Sequence, residues 1–171
     1  MKKILTLTCC LSICFLIFLI AESNAQVKEM SAKDLTKEST AVLYGKCSKI
    51  KSEWNETKDI IYTYVTVVPE EYLKGNLGSE AVIAVPGGKV GDIIYEVSEM
   101  PVFTEGEEVF AFVWTNPAGK NLVTGGYQGK MKIEKDGKTG KRMVNAKDSD
   151  SEDDSELLEN FVTKVKGYMK N

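Results

Sequence analysis

The chain has 171 residues, 43% hydrophobic and 27% charged, a size and composition at which one apolar core forms without covalent staples. Its 22 basic residues are interspersed among 25 acidic ones for a net charge of −3, which excludes the concentrated basic face that a nucleic-acid partner requires. It has no histidine, so Ser-His and Cys-His catalytic arrangements and imidazole-based zinc sites are excluded too.

Residues 1–25 read as a signal peptide. Lys2-Lys3 is a short positive start, Ile4 to Ala21 is almost wholly apolar, and Ser23-Asn24-Ala25 sets small residues where a signal peptidase reads. Cleavage is predicted before Gln26, with export to the periplasm or the medium. The competing reading is a retained anchor, because Ile4 to Ala21 is 18 residues long, near the lower limit of a spanning helix. Only in that case is the membrane a partner. Cleavage removes Cys9, Cys10 and Cys14, leaving Cys47 alone and an internal disulfide impossible; 20 basic and 24 acidic residues stay. A lone thiol in a strand-like run is expected to be buried packing rather than a reactive group.

Ser31 followed by Asp34 is an N-cap signal for a short helix leading onto the sheet. Ala41 to Ile50 reads as the first strand, with Gly45 marking a bend or a close approach. Ile60 to Val68 is the strongest β signal, apolar or aromatic on both faces, so a central strand with its outer face under a helix or loop is predicted. Pro69 is expected to end it. Ala81 to Val85, Val90 to Val97 and Glu108 to Trp114 read as further strands, the last alternating Val109, Ala111 and Val113 against Phe110, Phe112 and Trp114. Asn121 to Gln128 and Lys130 to Glu134 form a glycine-kinked strand, and Asp136-Gly137 a hairpin turn returning through Arg142 to Ala146. Such kinks favour the curvature of a small barrel. Leu157 to Met169 is an amphipathic helix expected to dock on the sheet. The predicted organisation is a barrel over residues 26–146, an acidic linker at 147–156 and a packed helix over 157–171.

Few constellations carry chemistry. Gly87, Gly88 and Gly91 match no phosphate-loop spacing and are turn residues. Asn55-Glu56-Thr57 fits a glycosylation sequon, read as a chance match. Glu105 with Glu107 or Glu108 is an example of a carboxylate pair available to a hydrolase, in a turn where solvated acids are the expected reading. Asp148, Asp150, Glu152, Asp154, Glu156 and Glu159 stand at the ligand positions of a calcium loop. Asp153 holds the position that needs glycine and no incoming helix precedes it, so a solvated linker is favoured over a Ca²⁺ site. Phe110, Phe112 and Trp114 are the candidate ligand-binding platform, with core packing the competing reading.

Ala41-Val42-Leu43-Tyr44-Gly45-Lys46, Tyr62 to Val67, Tyr72-Leu73-Lys74-Gly75, Val85 to Gly91 and Pro101 to Phe112 together resemble a domain of uncharacterised exported bacterial proteins, over about residues 40–133. Such domains occur alone or beside matrixin-type metallopeptidase domains. Their strand pattern is similar to the OB-fold barrel of netrin-like modules and tissue metalloproteinase inhibitors. The resemblance implies a barrel; it does not carry over the peptidase, whose zinc-binding histidines are missing, nor the inhibitors' N-terminal cysteine, where Gln26 stands. The expectation is a mainly β, small OB-like β-barrel with a short N-terminal and a C-terminal amphipathic helix. Its expected role is a non-enzymatic exported binding module for a protein or cell-envelope polymer, without a cofactor. The alternatives are a metallopeptidase-associated inhibitor or chaperone-like domain, and a carboxylate-only hydrolase.

Overall fold

A computed structural model describes residues 29–145 and 155–170. The predicted signal peptide and most of the acidic run lie outside them. Helix α1 (Ala32–Glu38) starts at the predicted cap: Asp34 N–H donates to Ser31 Oγ at 3.2 Å, and Ser31 N–H donates back to the Asp34 carboxylate at 3.3 Å. The strands are β1 (Ala41–Trp54), β2 (Ile61–Lys74), β3 (Ala81–Pro86), β4 (Gly88–Val90), β5 (Ile93–Tyr95), β6 (Glu108–Thr115), β7 (Asn121–Val123), β8 (Lys130–Lys135), β9 (Arg142–Asn145) and β10 (Ser155–Leu157). Helix α2 (Leu158–Tyr168) follows.

Five strands close a barrel in the order β1-β2-β3-β7-β6, with β6 returning to β1. All neighbours are antiparallel except β3 and β7, which meet in parallel at Ala84 and Leu122. This is the OB-like barrel expected from the sequence. Strand β6 pairs with β1 along one edge. Its other edge is shared, β7 taking Val113 to Thr115 and β8 taking Glu108 to Ala111, so that β8, β9 and β10 extend the sheet beyond the barrel. Among the described residues no helix is long and apolar enough to cross a membrane.

The alternation in β6 feeds two cores. Val109, Ala111 and Val113 point into the barrel with Leu43, Cys47, Val65, Val67, Ile83 and Phe103. Phe110 and Phe112 point outward into a second core, where Leu35 of α1 and Leu158, Phe161 and Val165 of α2 cover them together with Met131 and Val144. The Phe161 ring stands edge-on to Phe110 at 4.9 Å between centroids and to Phe112 at 6.5 Å. Both helices therefore pack on the same outer face of the barrel, and α2 shares a core with it.

Four expectations need correction. Pro69 does not end the second strand, which runs on to Lys74. The β1–β2 register shifts between Tyr44 and Gly45, opposite Glu71 and Pro69, and a bulge is where a residue without an N–H fits inside a strand. Gly45 is needed for that fit, since a Cβ there would lie 2.2 Å from the Val68 carbonyl oxygen. Val90 to Val97 is not one strand but a turn and half a hairpin, with Val90 paired to Ile93. Part of the predicted acidic linker is strand, because Ser155–Leu157 pairs with Met143–Asn145. The outer face of β2 is also less covered than expected: Val68 is exposed, and Tyr62 and Tyr64 are half-buried, with no helix above them among the described residues.

Candidate interaction surface

The hairpin β4–β5 follows β3 in the chain and precedes β6, and its base sits against β1 and β2. Its register is Gly88 with Tyr95, Lys89 with Ile94 and Val90 with Ile93. The base is fixed to the barrel. Gly87 N–H donates to the Ile61 carbonyl at 2.9 Å, Thr63 Oγ1 donates to the Gly87 carbonyl at 2.8 Å, and Ser52 and Thr63 share a hydroxyl contact of 2.9 Å beneath it. Gly88, at φ 136, sits so close to that pair that a Cβ would meet Thr63 Oγ1 at 2.4 Å. The returning segment is tied as well: Tyr127 N–H donates to the Glu99 carbonyl at 2.9 Å, Met100 packs on the barrel core, and Phe103 closes its end.

Beyond this base the side chains face water. Ile93 and Ile94 are 54% and 62% exposed, and Val102, which lines a cleft of about 450 Å³, is 72% exposed. Tyr95 is exposed too and lines that cleft with Val97, Met100 and Phe103. Both faces of β5 are open, because Ile93, Ile94 and Tyr95 are consecutive. Asp92, Glu96 and Glu99 surround them, and Lys89 is the single basic residue between Gly87 and Glu99.

The platform predicted from Phe110, Phe112 and Trp114 does not exist as a surface. Phe110 and Phe112 are fully buried beneath α1 and α2, and only Trp114, past the end of both helices' cover, is exposed at 42%. The carboxylates Glu105, Glu107 and Glu108 are not brought face to face. Glu107 accepts from Thr104 N–H and forms a nearly buried pair with Lys130 at 3.2 Å, Glu108 lies 3.6 Å from Arg142, and Glu105 is exposed. Of the calcium candidates, Asp148, Asp150, Glu152 and Asp154 lie outside the described residues. Glu156 pairs with Lys164 at 3.2 Å, and Glu159 opens α2. Among the described residues no group of three or more acids or cysteines is close enough to hold a metal ion. Asn55, the sequon asparagine, is a turn residue whose carbonyl oxygen accepts from the N–H groups of Asp59 and Ile60 at 3.1 and 3.2 Å.

Two other surface regions are already engaged by their own side-chain partners. A cleft of about 510 Å³ between β2, β9 and α2 is crossed by ion pairs: Arg142 to Glu70 at 2.8 Å, and Lys166 to Glu71 at 2.6 Å just outside it. Tyr44 donates to Glu71 at 3.0 Å there, so burial and the neighbouring carboxylate push its hydroxyl pKa up, while the Lys166 ammonium holds Glu71 below the usual carboxyl range. On the outer face of β2, the Lys120 ammonium sits 3.6 Å from the centre of the Tyr62 ring. Cys47 is wholly buried in the barrel, and desolvation raises its thiol pKa.

The sequence carried one signal for the hairpin: Ile93-Ile94-Tyr95 directly follows the turn pair Gly91-Asp92, a pattern closer to a hairpin than to a continuous strand. No protein family, curated protein or solved structure matches the chain.

Proposed function

We propose that this protein is a non-enzymatic exported binding module whose ligand is another protein, held by the tip of hairpin β4–β5 and by Val102. The observation that supports this reading is the exposure of Ile93, Ile94 and Tyr95 on the hairpin together with Val102 of the segment that follows it. One exposed apolar side chain is ordinary on a protein surface; four at one end mark a surface relieved by contact. The hydrogen bonds at Gly87 and Glu99 hold the base in place, so a partner orders little chain on docking. A polymer stacking on the tyrosines of β2 is less favoured, because Lys120 already covers the Tyr62 ring. Export rests on the apolar segment at the N-terminus.

The test compares the purified protein with an Ile93→Ser, Ile94→Ser, Val102→Ser variant whose circular dichroism and thermal unfolding match it. Both are immobilised and exposed to cell-envelope extract. Proteins retained by the parent and released by the variant are the expected result. Identical retention, or none by the parent, refutes the reading.

A further inference from the structure

Resting on that reading, we infer that the outer edge of β5 binds by strand addition. Its ligand is an extended protein segment with three consecutive apolar residues and a Lys or Arg at each end. Among the described residues, β5 pairs only with β4, and no backbone hydrogen bond from another element reaches residues 92–96. The hairpin closes through two residues, Gly91 and Asp92, between the paired Val90 and Ile93. In such a hairpin the pair next to the turn exchanges both hydrogen bonds, which turns the N–H and C=O of Ile94 to the free edge. An added strand takes up these groups, and its side chains meet those of β5.

The side chains of β5 specify which strand fits. Within β5, Ile93 and Tyr95 share one face and Ile94 takes the other, with Asp92 in the turn before the strand and Glu96 just past its end. A partner strand lying antiparallel and centred on Ile94 meets acid, apolar, apolar, apolar and acid in turn. A basic residue at each end and three apolar ones between complement every position. The same register disfavours a second copy of this chain: self-pairing sets Asp92 opposite Glu96 at both ends, four carboxylates in two like-charge pairs. The flanking acids thus guard a short apolar edge against its own kind and leave it open to a basic-flanked strand. Val102 and the cleft beside Tyr95 lie on one side of this edge, where the apolar side chains of a longer segment continue.

The probes are blocked peptides with a Lys-Val-Ile-Val-Lys centre, the same centre flanked by Glu, and a Lys-flanked form with proline at the middle position. Binding to the purified protein is followed by backbone amide NMR shifts. The Lys-flanked peptide is expected to bind at least about tenfold more tightly than the Glu-flanked one, with shifts centred on Ile93 to Glu96. The proline form, which cannot complete the ladder, is expected to lose binding. The Asp92→Lys, Glu96→Lys variant, folded by the same spectra, is expected to reverse the preference. No saturable binding of the Lys-flanked peptide up to about 1 mM, equal binding of all three peptides, or shifts elsewhere overturns strand addition. If that happens while the Ser variant still loses its retained proteins, the hairpin docks by its side-chain face and only this inference fails.

Discussion

Replacing Phe161 by Ala removes the side chain that joins α2 to the outer face of the barrel. The ring is 4% exposed and meets two phenylalanines of β6 edge-on, at 4.9 and 6.5 Å between centroids. A buried Phe→Ala change costs about 3–5 kcal/mol, of which each edge-to-face pair accounts for about 0.5–1.5 kcal/mol. Set against a domain stability of about 5–15 kcal/mol, roughly a fifth or more of the total is lost. Phe112→Ala is expected to cost as much, and Trp114→Ala, two residues along the same strand but exposed at 42%, less than about 1 kcal/mol. Urea unfolding by far-UV circular dichroism reads all three, as a fall in midpoint at unchanged slope. A Phe161→Ala cost below about 1 kcal/mol would refute the shared core. So would a separate early transition for α2, which makes the helix an appendage.

Gly45→Ala places a Cβ 2.2 Å from the Val68 carbonyl oxygen and 2.7 Å from Pro69 Cα, both backbone, so about 2–3 kcal/mol of destabilisation is expected in the same assay. Cys47 is expected to resist an aromatic disulfide reagent in the folded protein and to react at the rate of unfolding, since burial both hides the thiol and raises its pKa. Fast stoichiometric labelling in buffer would contradict its place in the barrel. Glu71 is held below its ordinary pKa by Lys166, with Tyr44 adding a hydrogen bond. Its contribution is therefore present above the normal carboxyl value and lost as pH falls through the lowered one. The partners are 46% and 37% exposed, so the effect is about 0.2–1 kcal/mol. Glu71→Gln should lower the urea midpoint at neutral pH, less so in high salt, and should match the parent once acid has protonated the parent's Glu71; a difference persisting there points to a packing defect.

What the sequence disclosed follows from which signals are local. The cap at Ser31 and Asp34, the strand alternation of β6 and the stripe of α2 are written in adjacent residues, and each forms where it reads. The alternation separated Val109, Ala111 and Val113 from Phe110, Phe112 and Trp114, but it could not say what lies over the second set. The answer comes from α2, nearly fifty residues further on, whose Phe161 covers two of the three. Pro69 read as a stop because a missing N–H usually ends a ladder; the bulge opposite Gly45 that absorbs it depends on pairing with another strand. Ile93 and Ile94 look like core by composition, and only the fold reveals that both stand more than half exposed. Ser155–Leu157 was hidden by the acids preceding it, which mask a three-residue pairing with β9.

The double pairing of β6 also sets the order in which the chain can fold. The contacts that close the barrel join Ala41 to Val113 and Lys46 to Glu108, across most of the domain. Until β6 is available, β1, β2 and β3 form an open meander with its apolar inner face uncovered and both edges unpaired. Topologies dominated by such distant pairings fold on the order of milliseconds to seconds, far slower than helical bundles. A fragment ending before Glu108 is therefore the form of this protein most exposed to intermolecular strand pairing, and arrival of β6 is the event that buries the meander's inner face and occupies the free edge of β1.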